Sequence, residues 1–179
     1  MQGIYILNSD LKFRPLVPPE NQSFVDLVQR FNGTPIGQSW RQVDLEYDPD
    51  SMHLPVGDFP SILLSHIPVF SVRAAESLEP LLQKTGELLP MRCGDDTYFA
   101  FNVTSAIPGL SKASDIRYFP SGRIMDVKTF IIDHEQLTAD PIFKLSEVPL
   151  MKVFVSDTFL NTVHQSELSG FEFTPVEVR

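Results

Sequence analysis

The chain has 179 residues, 42% of them hydrophobic, and 23 acidic against 14 basic residues give a net charge of −9. That much apolar material excludes disorder through lack of core residues and fits a single domain. The acidic balance argues against direct nucleic-acid binding, which needs cations to displace counterions from phosphates.

No charge-free run approaches the roughly 20 apolar residues of a membrane helix. The run from Phe59 to Val72 is interrupted by Pro60, Ser65, His66 and Pro68. Met1 to Leu7 lacks a basic leader and a cleavage site, so no signal peptide is expected. One cysteine, Cys93, cannot form an internal disulfide, and a reduced cytoplasm is its expected home.

In chain order, Gly3 to Leu7 reads as a strand with Tyr5 and Leu7 on one face and Ile4 and Ile6 on the other. Pro15, Pro18 and Pro19 disfavour regular structure up to about Glu20, so residues 1–22 form an N-terminal strand and proline-rich segment ahead of a core at 23–179. From Ser23, the spacing of Phe24, Leu27, Val28 and Phe31 predicts a short amphipathic helix stopped by Asn32-Gly33. Trp40 to Tyr47 alternates as a strand, with Val43, Leu45 and Tyr47 inward and Asp44 and Glu46 outward. Asp48-Pro49-Asp50 is a turn. Asp58-Phe59-Pro60-Ser61 resembles a helix start, after which Ile62, Leu63 and Leu64 pack. No lysine or arginine lies between Arg41 and Arg73, so Asp44, Glu46, Asp48, Asp50 and Asp58 create a local negative field.

A pattern then occurs twice. Val69-Phe70, Ser71, a helical stretch, Gly86 and an apolar run to Pro90 form the first copy. Val153-Phe154-Val155, Ser156, a helical stretch, Gly170 and Phe171 to Pro175 form the second. Serine to glycine is 15 positions and then 14; glycine to proline is 4 and then 5. Each copy reads as strand, serine-capped helix, glycine stop, strand. Ala75, Leu78, Leu81 and Leu82 mark the buried face of the first helix, and Phe159, Leu160 and Val163 that of the second. Pro80 should kink the first helix, or stop and restart it.

Between the copies, Gly94-Asp95-Asp96 turns a hairpin joining Glu87–Arg92 to Tyr98–Val103. Residues 105 to 122 look like a long surface excursion, Arg123 to Ile132 like one strand, Asp133 to Asp140 like a turn, and Ile142 to Leu145 like a short strand. After Pro175 the alternation shifts to Val176 and Val178, which predicts a bulge or an edge position. The expected fold class is α+β, a single strand-rich domain with two serine-capped helices.

The chemistry-bearing residues are sparse. His53, His66, His134 and His164 fall at no metal-ligand spacing, and no glycine-rich phosphate loop occurs, so neither metal nor cofactor is expected. Asp133-His134-Glu135 is the one dense titratable cluster and reads as a solvated turn. Cys93 sits beside acids that raise a thiol pKa. Asn102-Val103-Thr104 is a formal glycosylation sequon inside a strand. No catalytic residues are assigned.

Val69-Phe70-Ser71-Val72-Arg73-Ala74-Ala75 with Gly86-Glu87-Leu88-Leu89-Pro90 resembles the central signature of a bacterial immunity-protein family of polymorphic toxin systems, the one numbered eleven. Val153 to Asp157 with Leu168 to Phe173 is similar to its closing signature. Phe101-Asn102-Val103, Gly122-Arg123-Ile124 and Ile142 to Leu145 resemble its intermediate landmarks, and Asn32 to Pro35 with Trp40 its N-terminal part. The resemblance spans about residues 30 to 178.

It implies a cytoplasmic protein that binds and neutralises a cognate protein toxin. Because many such toxins are basic nucleases, the candidate toxin-binding residues are Asp44, Glu46, Asp48, Asp50 and Asp58, which would also steer association. The alternatives are a small hydrolase using Asp133-His134-Glu135 or Cys93, and an assembly subunit pairing through an edge strand near Phe171 and Phe173. Length and composition leave the oligomeric state open.

Overall fold

Both copies of the repeated pattern fold into the same unit. The computed structural model describes residues 3–19, 24–62 and 66–179. The roles expected of Ser23, Leu63 and Leu64 fall outside that range.

The strands and helices are β1 (Ile4–Ser9), β2 (Leu16–Val17), α1 (Val25–Arg30), β3 (Val43–Tyr47), β4 (Val69–Ser71), α2 (Val72–Leu82), β5 (Gly86–Cys93) and β6 (Asp96–Val103). They continue with β7 (Ala106–Ile107), β8 (Asp115–Tyr118), β9 (Ile124–Thr129), β10 (Ile131–Ile132), β11 (Ile142–Leu145), β12 (Phe154–Ser156), α3 (Asp157–Gln165) and β13 (Phe171–Val178). One sheet runs β2-β3-β5-β6-β4, a second runs β10-β13-β1-β12-β11-β7, and β8 and β9 form a separate two-stranded arm. The architecture is α+β and strand-rich.

In the first copy β4 and β5 both pair antiparallel with β6, which lies between them. In the second, β12 and β13 both pair antiparallel with β1. Each copy is therefore a split strand–helix–strand with a foreign strand threaded through its middle. The threading strand is the next element in the first copy and the N-terminal strand in the second. The N-terminal segment is thus a central strand of its sheet.

The two helices face each other between the sheets. Phe70, Ala74, Ala75, Leu78, Leu82 and Phe101 from one side meet Leu7, Val155, Phe159, Val163 and Leu168 from the other in one buried cluster. Buried aliphatic and aromatic side chains contribute about 1.5–3 kcal/mol each, so this interlayer core is the main stabilising element. A second cluster lies beneath α1, where Phe24, Phe31 and Ile36 pack on Leu45, Leu89, Met91 and Ala100. A third lies beside the arm, with Val127, Phe130, Phe143 and Phe154 at its centre.

Helix starts and stops follow the local chemistry in part. The Ser71 hydroxyl accepts from the Ala74 amide at 3.1 Å, as an N-cap should. Ser156 occupies the corresponding position of α3, but its buried hydroxyl has no partner among the described residues. The Asp157 carboxylate instead takes the Gly3 amide at 2.5 Å and the Tyr5 hydroxyl at 2.9 Å, binding α3 to β1. Neither glycine stops its helix: α2 ends at Leu82 and α3 at Gln165, followed by Glu167 at φ +50°, while Gly86 opens β5 and Gly170, at φ +85° with the Phe59 backbone packed against it, turns the chain into β13.

Several expectations give way. α2 runs unbroken through Pro80, which is exposed, so the Glu76 carbonyl deprived of its partner faces water. Trp40 precedes its strand and closes a 3-10 turn at Gly37–Ser39. No helix begins at Asp58, because its carboxylate is engaged elsewhere. Leu16–Val17 pairs with β3 despite the flanking prolines. The stretch from 105 to 122 contributes β7 and β8, and the strand expected from 123 to 132 is divided at Phe130 between the arm and the second sheet. The hairpin forms as expected, its Gly94 at φ +60° in the first central position of a two-residue turn. β13 passes Pro175 without a register shift, as an edge strand over most of its length.

Candidate partner-binding surface

The acidic strand gains its surroundings from register. β3 runs parallel to β5, with Leu45 beside Cys93, and Cys93 faces Asp96 across the hairpin. This pairing brings the turn acids Asp95 and Asp96 to the C-terminal end of β3. Both are exposed, as are Asp44, Glu46 and Asp50. Asp48 is partly buried and caps the 3-10 turn Pro49–Ser51, accepting from the Asp50 amide and the Ser51 hydroxyl.

Two guanidiniums moderate the field. Arg92 pairs with Asp44 at 3.0 Å, both half exposed. Arg14 lies 5.2 Å over the Tyr47 ring and donates to the Met52 and Leu54 carbonyls. Six carboxylates against these two cations leave a negative surface, and exposed pairs of the Arg92–Asp44 kind are worth at most about 1 kcal/mol.

Asp58 does not belong to this surface. It is 8% exposed and holds four elements together. Its carboxylate accepts from the Ser71 hydroxyl at 2.8 Å, Arg73 Nη1 at 3.0 Å, and the Ser169 amide at 2.9 Å and hydroxyl at 3.1 Å. Its backbone amide donates to the Ser169 carbonyl, and its own carbonyl takes the Ser71 amide. Position within an acid-rich segment concealed this role; Ser71 and Arg73 lie a helix start away, and Ser169 lies in the other copy.

Beside Asp58 opens a cleft of about 520 Å³ whose wall carries Tyr47, Tyr98 and Asp96 and whose rim carries Val56 and Val72. The Tyr47 hydroxyl donates to Asp96 at 2.9 Å and lies 2.8 Å from the Tyr98 hydroxyl. Burial, then the Tyr98 and Asp96 hydrogen bonds, push the Tyr47 phenol well above its ordinary range, so it stays a neutral donor. Val56 is 50% exposed, Val72 41% and the neighbouring Met52 54%, giving the acidic surface an apolar fringe. Asp95, Asp96 and this fringe were not predicted as part of a site. The Gly94-Asp95-Asp96 string signals only a turn, and the parallel partner of β5 is a non-local choice.

The other titratable groups fall apart as sites. Asp133, His134 and Glu135 lie on an exposed 3-10 turn, where the His134 amide donates to the Arg179 carbonyl. Cys93 is 3% exposed, and burial followed by the Asp96 charge pushes its thiol pKa up, away from nucleophilic reactivity. Among the described residues no three His, Cys, Asp or Glu side chains are grouped to hold a metal ion. Among them, too, no helix is long and apolar enough to cross a membrane. Asn102 is fully buried, which closes the sequon to modification.

Against known families, the model of the Immunity protein family (Imm11) matches residues 92–178. No curated protein matches the chain. The matched stretch begins at the end of β5 and includes the arm, α3 and β13, hence the whole closing signature and the landmarks at 101–103, 122–124 and 142–145. The landmarks at 32–40 and 69–90 precede it, as does the acidic strand β3.

Proposed function

We propose that this chain is an immunity protein that neutralises a cognate bacterial protein toxin by stoichiometric binding in the cytoplasm. The observation that carries the reading is the family match over residues 92–178. An exposed acidic surface with an apolar fringe supports it further, because such a surface suits a basic partner and speeds encounter with it. We assign the toxin-facing role to Asp44, Glu46, Asp48 and Asp50, joined by Asp95 and Asp96; Asp58 supports the surface from behind. A basic nuclease is the toxin class that this charge fits best.

Co-expression with the toxin domain encoded beside this chain tests the reading. The wild-type chain should restore growth and co-purify with the toxin at fixed stoichiometry. Lysine at 44, 46, 50 and 95 together should weaken the complex at least tenfold at low salt, with the wild-type advantage shrinking as salt rises. Protection and complex formation that survive these reversals at low and moderate salt would remove the acidic surface from the interface. A chain that neither protects nor binds would remove the immunity reading itself.

A further inference from the structure

The β8–β9 arm is built as a rigid finger. Its root is bracketed inside the fold: the buried Ser114 hydroxyl donates to the Ile131 carbonyl at 3.1 Å and accepts from the Ile131 amide at 3.0 Å. Ile116, Ile124 and buried Val127 then lay one face of the arm on the third cluster. At the far end the Phe119 amide donates to the Arg123 carbonyl at 2.8 Å and the Gly122 amide to the Phe119 carbonyl at 2.9 Å, which closes a three-residue loop. Pro120 fixes its φ as the loop begins, and Gly122 at φ +82° supplies the left-handed residue that ends it. The tip is thus ordered by its own backbone, and holding it for a partner costs little further entropy.

What the finger presents differs from the surface around it. Residues 117–125 carry Arg117 and Arg123 and no acid, in a chain of net charge −9. Arg117 pairs with Asp126 at 2.7 Å, whereas Arg123 lies 5.7 Å from the Phe119 ring centroid with no carboxylate paired to it among the described residues. Tyr118 is 55% exposed, Phe119 42% and Met125 41%; within the matched residues 92–178, Leu150 is the one other large apolar side chain so exposed. Tyr118, Phe119 and Met125 belong to none of the three buried clusters, so the fold does not use them. Tyrosine, phenylalanine, methionine and arginine are the residue types enriched at the cores of protein interfaces.

We propose that the tip of the arm is a second contact with the cognate toxin, seated in an acidic, apolar-lined pocket of that protein. The proposal rests on the immunity reading but not on the acidic strand, and unlike β3 the arm lies inside the matched residues. The occupant follows from the chemistry of the tip. Burying the Arg123 guanidinium in a contact demands a carboxylate opposite it, and Tyr118 and Phe119 demand apolar walls beside it. The chain's net charge opposes an anionic lipid surface and a second copy alike. A toxin that is basic over most of its surface attracts the chain as a whole and needs acid only in this pocket.

The test uses the full chain and the toxin domain encoded beside it. In titration calorimetry at low salt, Tyr118→Ser combined with Phe119→Ser should weaken the complex about thirtyfold or more, the loss expected of a central aromatic anchor. Arg123→Glu should weaken it more than Arg123→Met, and the gap between these two should shrink as salt rises. All three variants should keep the wild-type circular dichroism spectrum and cooperative unfolding, because the replaced side chains are exposed. Binding as tight with the serine variant as with the wild type, or as tight with Arg123→Glu as with Arg123→Met, overturns the proposal and leaves the immunity reading in place. A wild-type chain that does not bind the toxin overturns both. Sedimentation of the chain alone, and with vesicles of equal parts phosphatidylcholine and phosphatidylglycerol, covers the other occupants. Self-association or vesicle binding that the serine variant abolishes would assign the tip to a second copy or to a membrane and overturn the toxin pocket.

Discussion

The Lys144 ammonium on β11 donates to the backbone carbonyl of Phe31, 113 residues away. The side chain is 2% exposed, with no carboxylate paired to it among the described residues, and burial lowers its pKa to about 8. It fastens the end of the α1 segment to the second sheet with a charge that folding must desolvate.

This predicts unusual alkaline behaviour. Between pH 8 and about 10 the unfolded chain still binds the Lys144 proton while the folded chain has released it, so stability rises with pH. The drop from 10.5 to about 8 corresponds to at most about 3 kcal/mol. Above pH 10 the raised phenols of Tyr5, Tyr47 and Tyr98 reverse the trend, because the unfolded chain loses those protons first. Urea midpoints at pH 7.5 and 9.5 should increase for the wild-type chain and stay level for Lys144→Met. Equal slopes in both would show that Lys144 is not held charged and desolvated.

Glu87 is the second fastening of the same segment. Burial raises its pKa, but the Ile36 amide, the Asn102 side chain and the Gly37 amide outweigh that and hold it below the ordinary range. Asn102 also donates to the Thr34 carbonyl at 2.9 Å, so the carboxylate and the amide form one clamp over residues 34–37. Glu87→Ala should cost about 2–3 kcal/mol, since it strands a buried amide donor along with two backbone donors. Trp40, the single tryptophan, reports on it directly: its indole bond to Pro90 and its edge contact with Phe31 should loosen, red-shifting the emission. Unchanged fluorescence in Glu87→Ala would mean that the segment is held by its apolar contacts alone.

Local signals carried over well and non-local ones did not. The apolar spacing of Ala75, Leu78 and Leu82, the Ser71 cap and the Gly94 turn are each decided within a few residues, and each is found. The insertion of β1 between β12 and β13 involves partners some 150 residues apart, and no nearby pattern encodes it. The acidic surface was legible as a strand face, with Asp44 and Glu46 pointing outward. Its extension to Asp95 and Asp96 required knowing that β3 lies parallel to β5, and the removal of Asp58 required knowing that Ser169 folds back onto it.

Asp58 and its acidic neighbours should therefore separate cleanly in a stability screen. Asp58→Ala removes the acceptor of Ser71, Arg73 and Ser169 at a site that is nearly closed to water, and should cost about 3 kcal/mol. Because Arg73 is itself more than half exposed, the loss comes chiefly from the stranded Ser169 and Ser71 donors. Glu46→Ala and Asp50→Ala should each stay within about 0.5 kcal/mol. Thermal unfolding of the three variants decides it: equal losses would place Asp58 among the surface acids after all.

Pro80 offers a test of the helix itself. Its ring lies on the exposed side of α2, and the turn around it is packed through Leu78, Leu81 and Leu82. Alanine at 80 restores the amide that the Glu76 carbonyl lacks and removes the ring's clash with the preceding turn, a gain of about 3 kcal/mol in an isolated helix. Two effects reduce it here: water already serves the exposed carbonyl, and the unfolded chain regains the freedom that proline denies it, worth about 0.4–1 kcal/mol. The net expectation is a stabilisation of about 1–2 kcal/mol in Pro80→Ala, read as a higher urea midpoint with an unchanged slope. A destabilised variant would mean that α2 is built around a bend at Pro80, and that the fit of Leu78 and Leu82 against α3 depends on it.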